Sequence, residues 1–341
     1  MNRLKVFLKS PEKKNLFKMT KEFFTLMIKK KEIPFYYFKY LYQKDIPNYL
    51  DYLSLTEQRK IQLHPTLHTP NYVALINNKL YFSLLSKHTK IKMPKLLGFN
   101  FKTSFFYNNE VVQIYNVEGL NLFLENIFYR ENVNGIFFRP PSDYGGKGCF
   151  KITRLNFKKQ LVEVYNILKT GDFVYTEVIE QHSLINQIHS KSINTLRLVS
   201  LRTSKNEIEI ISAYIRFGVG DNIVDNASSG GFFVGINIEN GTLKAVGYFK
   251  PEFGGQKPTE HPDSGFRFNG FEIPFYEEAC ESVINASRII PDRLIGWDVA
   301  ITPDGPVIIE SNAEPGMHTS DIAYGGLLRN PYVKELMGEL N

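Results

Sequence analysis

The amino-acid sequence predicts an α+β fold, mainly antiparallel, behind a helical N-terminal lobe. Three observations carry that expectation. Apolar residues recur at three- and four-residue steps from Phe17 to Ile28, the period of an amphipathic helix. From Gly135 onward the pattern changes to short β-branched and aromatic runs bounded by glycine, which is strand character. The last two of these runs are joined by Thr302-Pro303-Asp304-Gly305, whose Pro-Asp-Gly order suits a tight hairpin turn.

Taken in order, residues 1–75 read as the helical lobe, broken by Pro34, Pro47, Pro65 and Pro70, because proline ends a helix or starts the next one. Residues 76–182 form a second unit with strands at 136–139, 150–154 and 172–179 and a helix at 157–169. Residues 183–341 form a third, with strands at 195–202, 208–217, 294–301 and 306–311 and a helix at 275–290. A chain of 341 residues with 43% hydrophobic and 14% aromatic content has enough apolar surface for a large enzyme of several lobes around a cleft, and its composition argues against disorder. Cys149 and Cys280 lack CxxC or Cys/His spacing, which argues against a disulfide framework or zinc site and fits a reducing cytoplasm. No apolar run approaches the ~18 residues needed to cross a bilayer, so a cytoplasmic protein, soluble or peripheral at a membrane's inner face, is expected.

Charge is unevenly spread. Residues 1–100 hold 19 Lys/Arg against 6 Asp/Glu, a net +13, while the rest hold 22 against 29, a net −7. The basic region also carries the aromatic run from Ile33 to Tyr42. Two readings are open: the region rests on an anionic membrane surface or polymer, or its aromatic face packs on the core beneath a solvated helical surface. Nucleic acid is not an expected partner.

Three segments carry chemistry. The strand ending at Arg139 runs into Gly145-Gly146-Lys147-Gly148 before the next strand. Such a turn lets backbone N–H groups close on phosphate oxygens, with Arg139 and Lys147 adding positive charge. It lacks the GxxxxGK[ST] order of a P-loop. The second segment is the closing hairpin: alternation sends Glu310 and Asn312 to one face, and the adjoining strand brings Asp298 opposite. Buried oxygen ligands of this kind suit Mg2+, with waters and nucleotide phosphates completing the shell. The third is the strand through Glu177, Val178 and Ile179, which presents backbone groups to an adenine edge or is a plain strand.

Glycine loop, hinge strand, then Asp followed by Glu-x-Asn resembles the ATP-grasp superfamily. The segment 310–317 is similar to the metal and acceptor segment of D-alanine:D-alanine ligases. A narrower resemblance, to the sugar-transfer-associated ATP-grasp family, rests on Asn194-Thr195-Leu196-Arg197, Ile215-Arg216-Phe217-Gly218, Val224-Asp225-Asn226, Gly230-Gly231, His261-Pro262-Asp263 and Gly296-Trp297-Asp298. It covers roughly residues 70–330. The resemblance implies an ATP-grasp fold of two α/β lobes gripping ATP. It implies Lys79 and Arg139 as phosphate contacts, Gly145, Gly146 and Gly148 as the lid, Glu177 and Ile179 beside adenine, and Asp298, Glu310 and Asn312 on one or two Mg2+ ions.

Two departures stand out. Arg139 occupies a position where many relatives have lysine, and arginine's planar fork does not reproduce a point contact. The arginine that D-alanine:D-alanine ligases carry two residues before the metal aspartate is here Gly296, which leaves Arg197 or Arg216 to supply transition-state charge. The ribose ligand is not identifiable, and His182 and His189 read as surface or hydrogen-bonding residues. The loop 225–231 either closes over the reaction or simply connects two strands.

The expected reaction is activation of a carboxylate as an acyl phosphate and its transfer to an amine, with Gly316 offering its N–H to the oxyanion. The family's usual setting implies a sugar acid or amino sugar joined to an amino acid or small amine in cell-surface polysaccharide assembly. A phosphotransferase acting on a hydroxyl and a nucleotide-binding scaffold for glycosyltransferases are the alternatives.

Overall fold

Local capping signals set the first helices. A computed structural model describes residues 3–142, 145–221, 225 and 227–340. Its N-terminal region holds α1 (Arg3–Lys9), α2 (Leu16–Lys30), α3 (Leu55–Leu63), α4 (Pro70–Asn77) and α5 (Lys79–Ser86). The Asn15 side chain accepts the Lys18 N–H at 2.7 Å and starts α2, while Ser54 and Glu57 make a reciprocal capping box for α3, each satisfying an N–H the helix leaves unpaired. Pro70 stands in the first turn of α4, where a missing N–H costs nothing.

The aromatic run resolves in favour of core packing. Tyr36, Tyr37, Tyr40, Leu41 and Tyr42 are buried, together with Tyr214 and Phe233 of the body. Ile33 and Phe35 remain exposed. The lobe also encloses an ion pair: Glu22 accepts from Lys14 Nζ at 2.6 Å and from the Tyr37 hydroxyl at 2.7 Å, the pairing a buried charge requires.

Twelve strands of the described residues form two sheets. The first contains β1 (Leu96–Phe101), β2 (Ser104–Tyr107), β3 (Glu110–Gln113), β4 (Gly135–Arg139), β5 (Phe150–Thr153) and β6 (Asp172–Glu177), in the order β3-β2-β1-β6-β4-β5. Helices α6 (Val117–Glu131) and α7 (Phe157–Leu168) share its apolar core. The second sheet follows α8 (Ser183–Ile188) and contains β7 (Leu196–Arg202), β8 (Ile208–Phe217), β9 (Phe232–Ile236), β10 (Leu243–Phe249), β11 (Leu294–Thr302) and β12 (Gly305–Asn312), in the order β10-β9-β8-β7-β11-β12. It is accompanied by α9 (Tyr276–Ile289), α10 (Met317–Tyr324) and α11 (Pro331–Glu339). Every ladder among the described residues is antiparallel.

The expected closing hairpin is present, with Thr302 paired to Gly305 at a φ of 100°, a conformation glycine adopts without steric cost. The strands at 96–113 were not foreseen, although Asn108 and Asn109 both take positive φ between β2 and β3, as a two-residue hairpin turn demands. All nine positions of β11 are buried, since its residues join one apolar cluster shared with α4, α5 and α9 and another shared with α3, α10 and α11. Among the described residues no helix is long and apolar enough to cross a membrane.

Candidate active site

A cavity of about 400 Å3 lies between the sheets, lined by Arg139 and Glu177 from the first and by Arg216, Asp298 and Glu310 from the second, within the size range of small-molecule sites. Strand register assembles its charged wall. Asp298 on β11 faces Glu310 across one ladder and Arg197 across the other. Arg197 Nε donates to Asp298 Oδ1 at 2.5 Å and Nη2 to Oδ2 at 3.1 Å. Arg216 Nη2 donates to the same Oδ2 at 2.7 Å. Thr195 donates its N–H and hydroxyl to Asp225 Oδ2 at 2.7 and 2.6 Å, and its hydroxyl accepts from Arg216. Burial disfavours the Asp298 charge, but the two guanidinium groups outweigh it and hold the carboxyl at about 2. Burial also opposes the Arg216 charge, yet Asp225 and Asp298 raise its pKa above the ordinary value. The pairing favours the charged forms of Asp298 and Arg216, whereas burial raises the Asp225 carboxyl in spite of Arg216 and the two Thr195 hydrogen bonds.

Gly296 explains the missing arginine. A Cβ there would stand 2.6 Å from Pro315 Cβ and 3.2 Å from Arg197 Nη1, so no side chain fits. Arg197 fills that space from the neighbouring strand and donates to the Pro315 carbonyl at 3.2 Å.

On the opposite wall, Arg139 is 3% exposed and its Nη1 donates to the Ile309 carbonyl at 3.0 Å. Among the described residues its Nε and Nη2 have no partner. Burial lowers its pKa. An arginine with unsatisfied buried donors facing a cavity is suited to an anion, because its fork matches phosphate oxygens.

The sequence matches the sugar-transfer associated ATP-grasp family over residues 58–335. This chain belongs to that family. No curated protein matches it. Similar solved structures include the ATP-grasp ligase PsnB complexed with a minimal precursor, at 13% identity, 80% of this chain, 62% of that chain and a TM-score of 0.42. Another is the D-alanyl-alanine synthetase A of Vibrio cholerae, at 12% identity, 80% of this chain, 66% of that chain and a TM-score of 0.48. A third is the N5-carboxyaminoimidazole synthetase of Staphylococcus aureus, at 11% identity, 76% of this chain, 52% of that chain and a TM-score of 0.43. The chain spans less than two thirds of the length of each of these structures.

Of the ATP-grasp residues expected from the sequence, Lys79, Arg139, Gly145, Gly146, Glu177, Val178, Ile179, Asp298 and Glu310 line one cavity, joined by Arg216. Lys79 Nζ lies 3.4 Å from Glu310 Oε2. Lys147 and Gly148 are exposed and outside the cavity lining, because the chain turns away after Gly146 through glycines of positive φ. Asp143, Tyr144, Val224 and Asn226 lie outside the described residues.

Arg197 sits behind Asp298 rather than in the lining, so Arg216 is the second-sheet arginine that faces the cavity. Gly316 is not brought into this cleft. Pro315 packs against Gly296 and its carbonyl is held by Arg197, so the chain passes behind the wall and Gly316 opens α10 beside a separate cavity of about 240 Å3 with Lys39, Tyr40 and His318.

The residues fit a magnesium ion in two respects. Asp298 and Glu310 are register partners on adjacent strands and both line the cavity, a juxtaposition that two ionised carboxylates tolerate best around a cation. The buried amide of Asn312, opposite Gly296, has an unpartnered Nδ2 among the described residues, and turning the amide over would offer its oxygen instead. An all-oxygen donor set is the one magnesium prefers.

Sequence reasoning missed Lys151, Glu180, Lys191 and Asp225 as lining residues. Lys151 was legible as the polar position alternating with Ile152 on β5. Glu180 and Lys191 belong to a segment pinned from within, where Gln181 donates to Asn186 at 2.8 Å and accepts the Asn194 N–H at 2.6 Å. The family's His-Pro-Asp motif has an architectural role. His261 is fully buried and contacts the Gly218 carbonyl through Nε2 at 3.0 Å, while its Nδ1 accepts the Asp263 N–H at 3.2 Å. Asp263 accepts the Gly220 N–H at 2.6 Å. Together they fix the end of β8, two residues beyond Arg216. His189 stacks on His261 at 4.9 Å and is buried rather than on the surface.

Proposed function

We propose that this chain is an ATP- and Mg2+-dependent carboxylate–amine ligase working through an acyl phosphate. The observation that carries the reading is the opposition, across one cavity, of Arg139, two of whose buried donors have no partner among the described residues, and the register-paired carboxylates of Asp298 and Glu310. One wall suits phosphate oxygens and the other suits the cation that accompanies them. Adenine would lie against Val178 and Ile179, and Glu180, beside them in the lining, would accept from the ribose hydroxyls. Bound at Asp298, Glu310 and Asn312, one or two magnesium ions would neutralise charge on the transferred phosphoryl group.

The substrate carboxylate oxygen attacks the γ-phosphorus, the bond to the β-bridging oxygen breaks, and ADP leaves. Arg139 and Lys79 hold the nucleotide phosphates, and Arg216 faces the charge that gathers on the transferred group. An amine then attacks the acyl carbon, phosphate departs, and the nitrogen loses a proton. Arg216, which lines the cleft, takes the oxyanion role that Gly316 cannot reach. Family membership supports a sugar-linked partner, a sugar acid or amino sugar joined to an amino acid or small amine, within cell-surface polysaccharide assembly.

The test is chemical. With ATP, magnesium and a panel of sugar acids and amino acids, hydroxylamine should trap the acyl phosphate as a hydroxamate, with ADP and phosphate released. ADP with a stable phosphate ester and no hydroxamate would replace the ligase by a phosphotransferase. ATP binding without ADP formation on any substrate would leave the scaffold reading.

A further inference from the structure

We propose that the outer face of α2 docks the protein on an anionic lipid bilayer. Phe17, Phe24 and Ile28 are 82%, 51% and 73% exposed. At 100° per residue their spacing of seven and four brings them within about 40° of one another on the helix surface. Leu26, fully buried, points the opposite way and keys α2 to the lobe. The apolar period in the sequence therefore has two faces, one seated in the core and one that no element of the described residues covers. Leu16, Ile33 and Phe35, at the start of the helix and just beyond its end, are exposed as well.

Elsewhere on the helices of the described chain large exposed apolar residues share a face at most in smaller sets, such as Tyr81 with Leu84 on α5 and Leu122 with Tyr129 on α6. A clustered stripe is not ordinary on a monomer and marks a docking face.

Charge selects the occupant. Between Asn15 and Phe35 the exposed charged side chains are Lys18, Lys21, Lys29 and Lys31. The one acid within α2, Glu22, is buried and paired with Lys14. Apolar side chains flanked mainly by lysine, with the one half-buried acid, Glu32, engaged by the Leu55 and Thr56 N–H groups at 3.0 Å, match a surface of acyl chains beneath anionic headgroups. A second copy of the same face would set lysine against lysine, which disfavours self-association. The buried tyrosines of the following run cannot take part, so the lipid contact belongs to the helix.

The experiment is sedimentation of the full chain with phosphatidylcholine vesicles with and without phosphatidylglycerol, at low and high salt. Binding is expected only with phosphatidylglycerol, weakened about tenfold or more by high salt. A Phe17→Ser/Phe24→Ser/Ile28→Ser variant and a Lys18→Glu/Lys21→Glu/Lys29→Glu variant should each lose about tenfold or more of that binding, with unchanged circular dichroism and ATP-induced thermal shift. No sedimentation at low salt, equal binding to neutral vesicles, or full binding by the serine variant would each overturn the proposal. So would a wild-type dimer that the serine variant turns into a monomer, because the face would then join two copies.

Discussion

The two sheets grip the same cavity by opposite electrostatic strategies. The first contributes Arg139, two of whose guanidinium nitrogens are buried without partners among the described residues, together with Gly145 and Gly146. The second contributes Arg197, Arg216, Asp225 and Asp298, bound to one another inside central strands. Charge on the first wall is left for a ligand to satisfy; charge on the second is satisfied by the protein itself. The difference predicts opposite responses to mutation. Removing charge from the first wall relieves the ligand-free protein, and removing it from the second leaves a buried ion alone.

The largest effect is expected at Asp298. Asp298→Asn should reduce turnover more than ~100-fold and also lower stability by about 3 kcal/mol or more, because Arg197 and Arg216 lose their shared counter-ion in the interior. Glu310→Gln should match the loss of turnover but cost less stability than Asp298→Asn, since Glu310 keeps 22% of its side chain exposed and faces one cation, Lys79 at 3.4 Å, in place of two. Thermal melts and ADP release separate the two outcomes. Equal melting of both variants would break the contrast between a paired and a cavity-facing carboxylate.

Next in size is Arg139→Met. A methionine fills much of the same volume without desolvated donors, so the ligand-free protein should melt at or above the wild-type temperature. ATP affinity should fall about tenfold or more, the worth of one or two hydrogen bonds from a charged group, and the ATP-induced thermal shift should shrink accordingly. A destabilised ligand-free variant with undiminished ATP affinity would make Arg139 a structural residue.

Most of the second wall was legible because strand register is local. Alternation put Glu310 and Asn312 on one face, but the register set by the Pro-Asp-Gly turn would place Asp298 opposite Ile309, and a β-bulge between Asp298 and Val299 shifts it to Glu310. What was not legible depended on approach between distant segments. The closeness of Pro315 to Gly296 decides that Arg197 takes the vacant space and that Gly316 faces another cavity. No period or motif encodes that contact. The strands at 96–113 were missed for a different reason: each is short and the Asn108-Asn109 turn lacks the usual glycine, so neither alternation nor the turn pair gave a strong signal. In α2 the period was read correctly as helical, but the sequence could not say which apolar residues turn outward, since Phe23 and Phe24 are chemically identical and differ only in the face the lobe covers.

The smallest expected effect concerns the histidines behind the second wall, and it tests whether that wall is fixed from behind as well as from within. Burial lowers the pKa of both His189 and His261, with Asp263 acting in the opposite direction on each and Lys191 adding to the lowering at His189. A base whose folded pKa lies below its unfolded value of 6.5 takes up a proton more readily once unfolded. Stability therefore falls as pH drops through and below that value, and the loss disappears above it. Asp321 works in the other direction: burial raises it to about 8 from 3.8, so its contribution declines as pH rises between those values. Comparing wild type with His189→Gln cancels the Asp321 contribution and isolates the histidine. Melting temperatures measured between about pH 7.5 and pH 5 should fall less steeply in the variant, and ATP affinity should lose pH dependence over the same range if the His261–Asp263 clamp sets the position of Arg216. Parallel melting curves for the two proteins would show that His189 stays neutral or stays solvated in both states, and the clamp would then owe nothing to its burial.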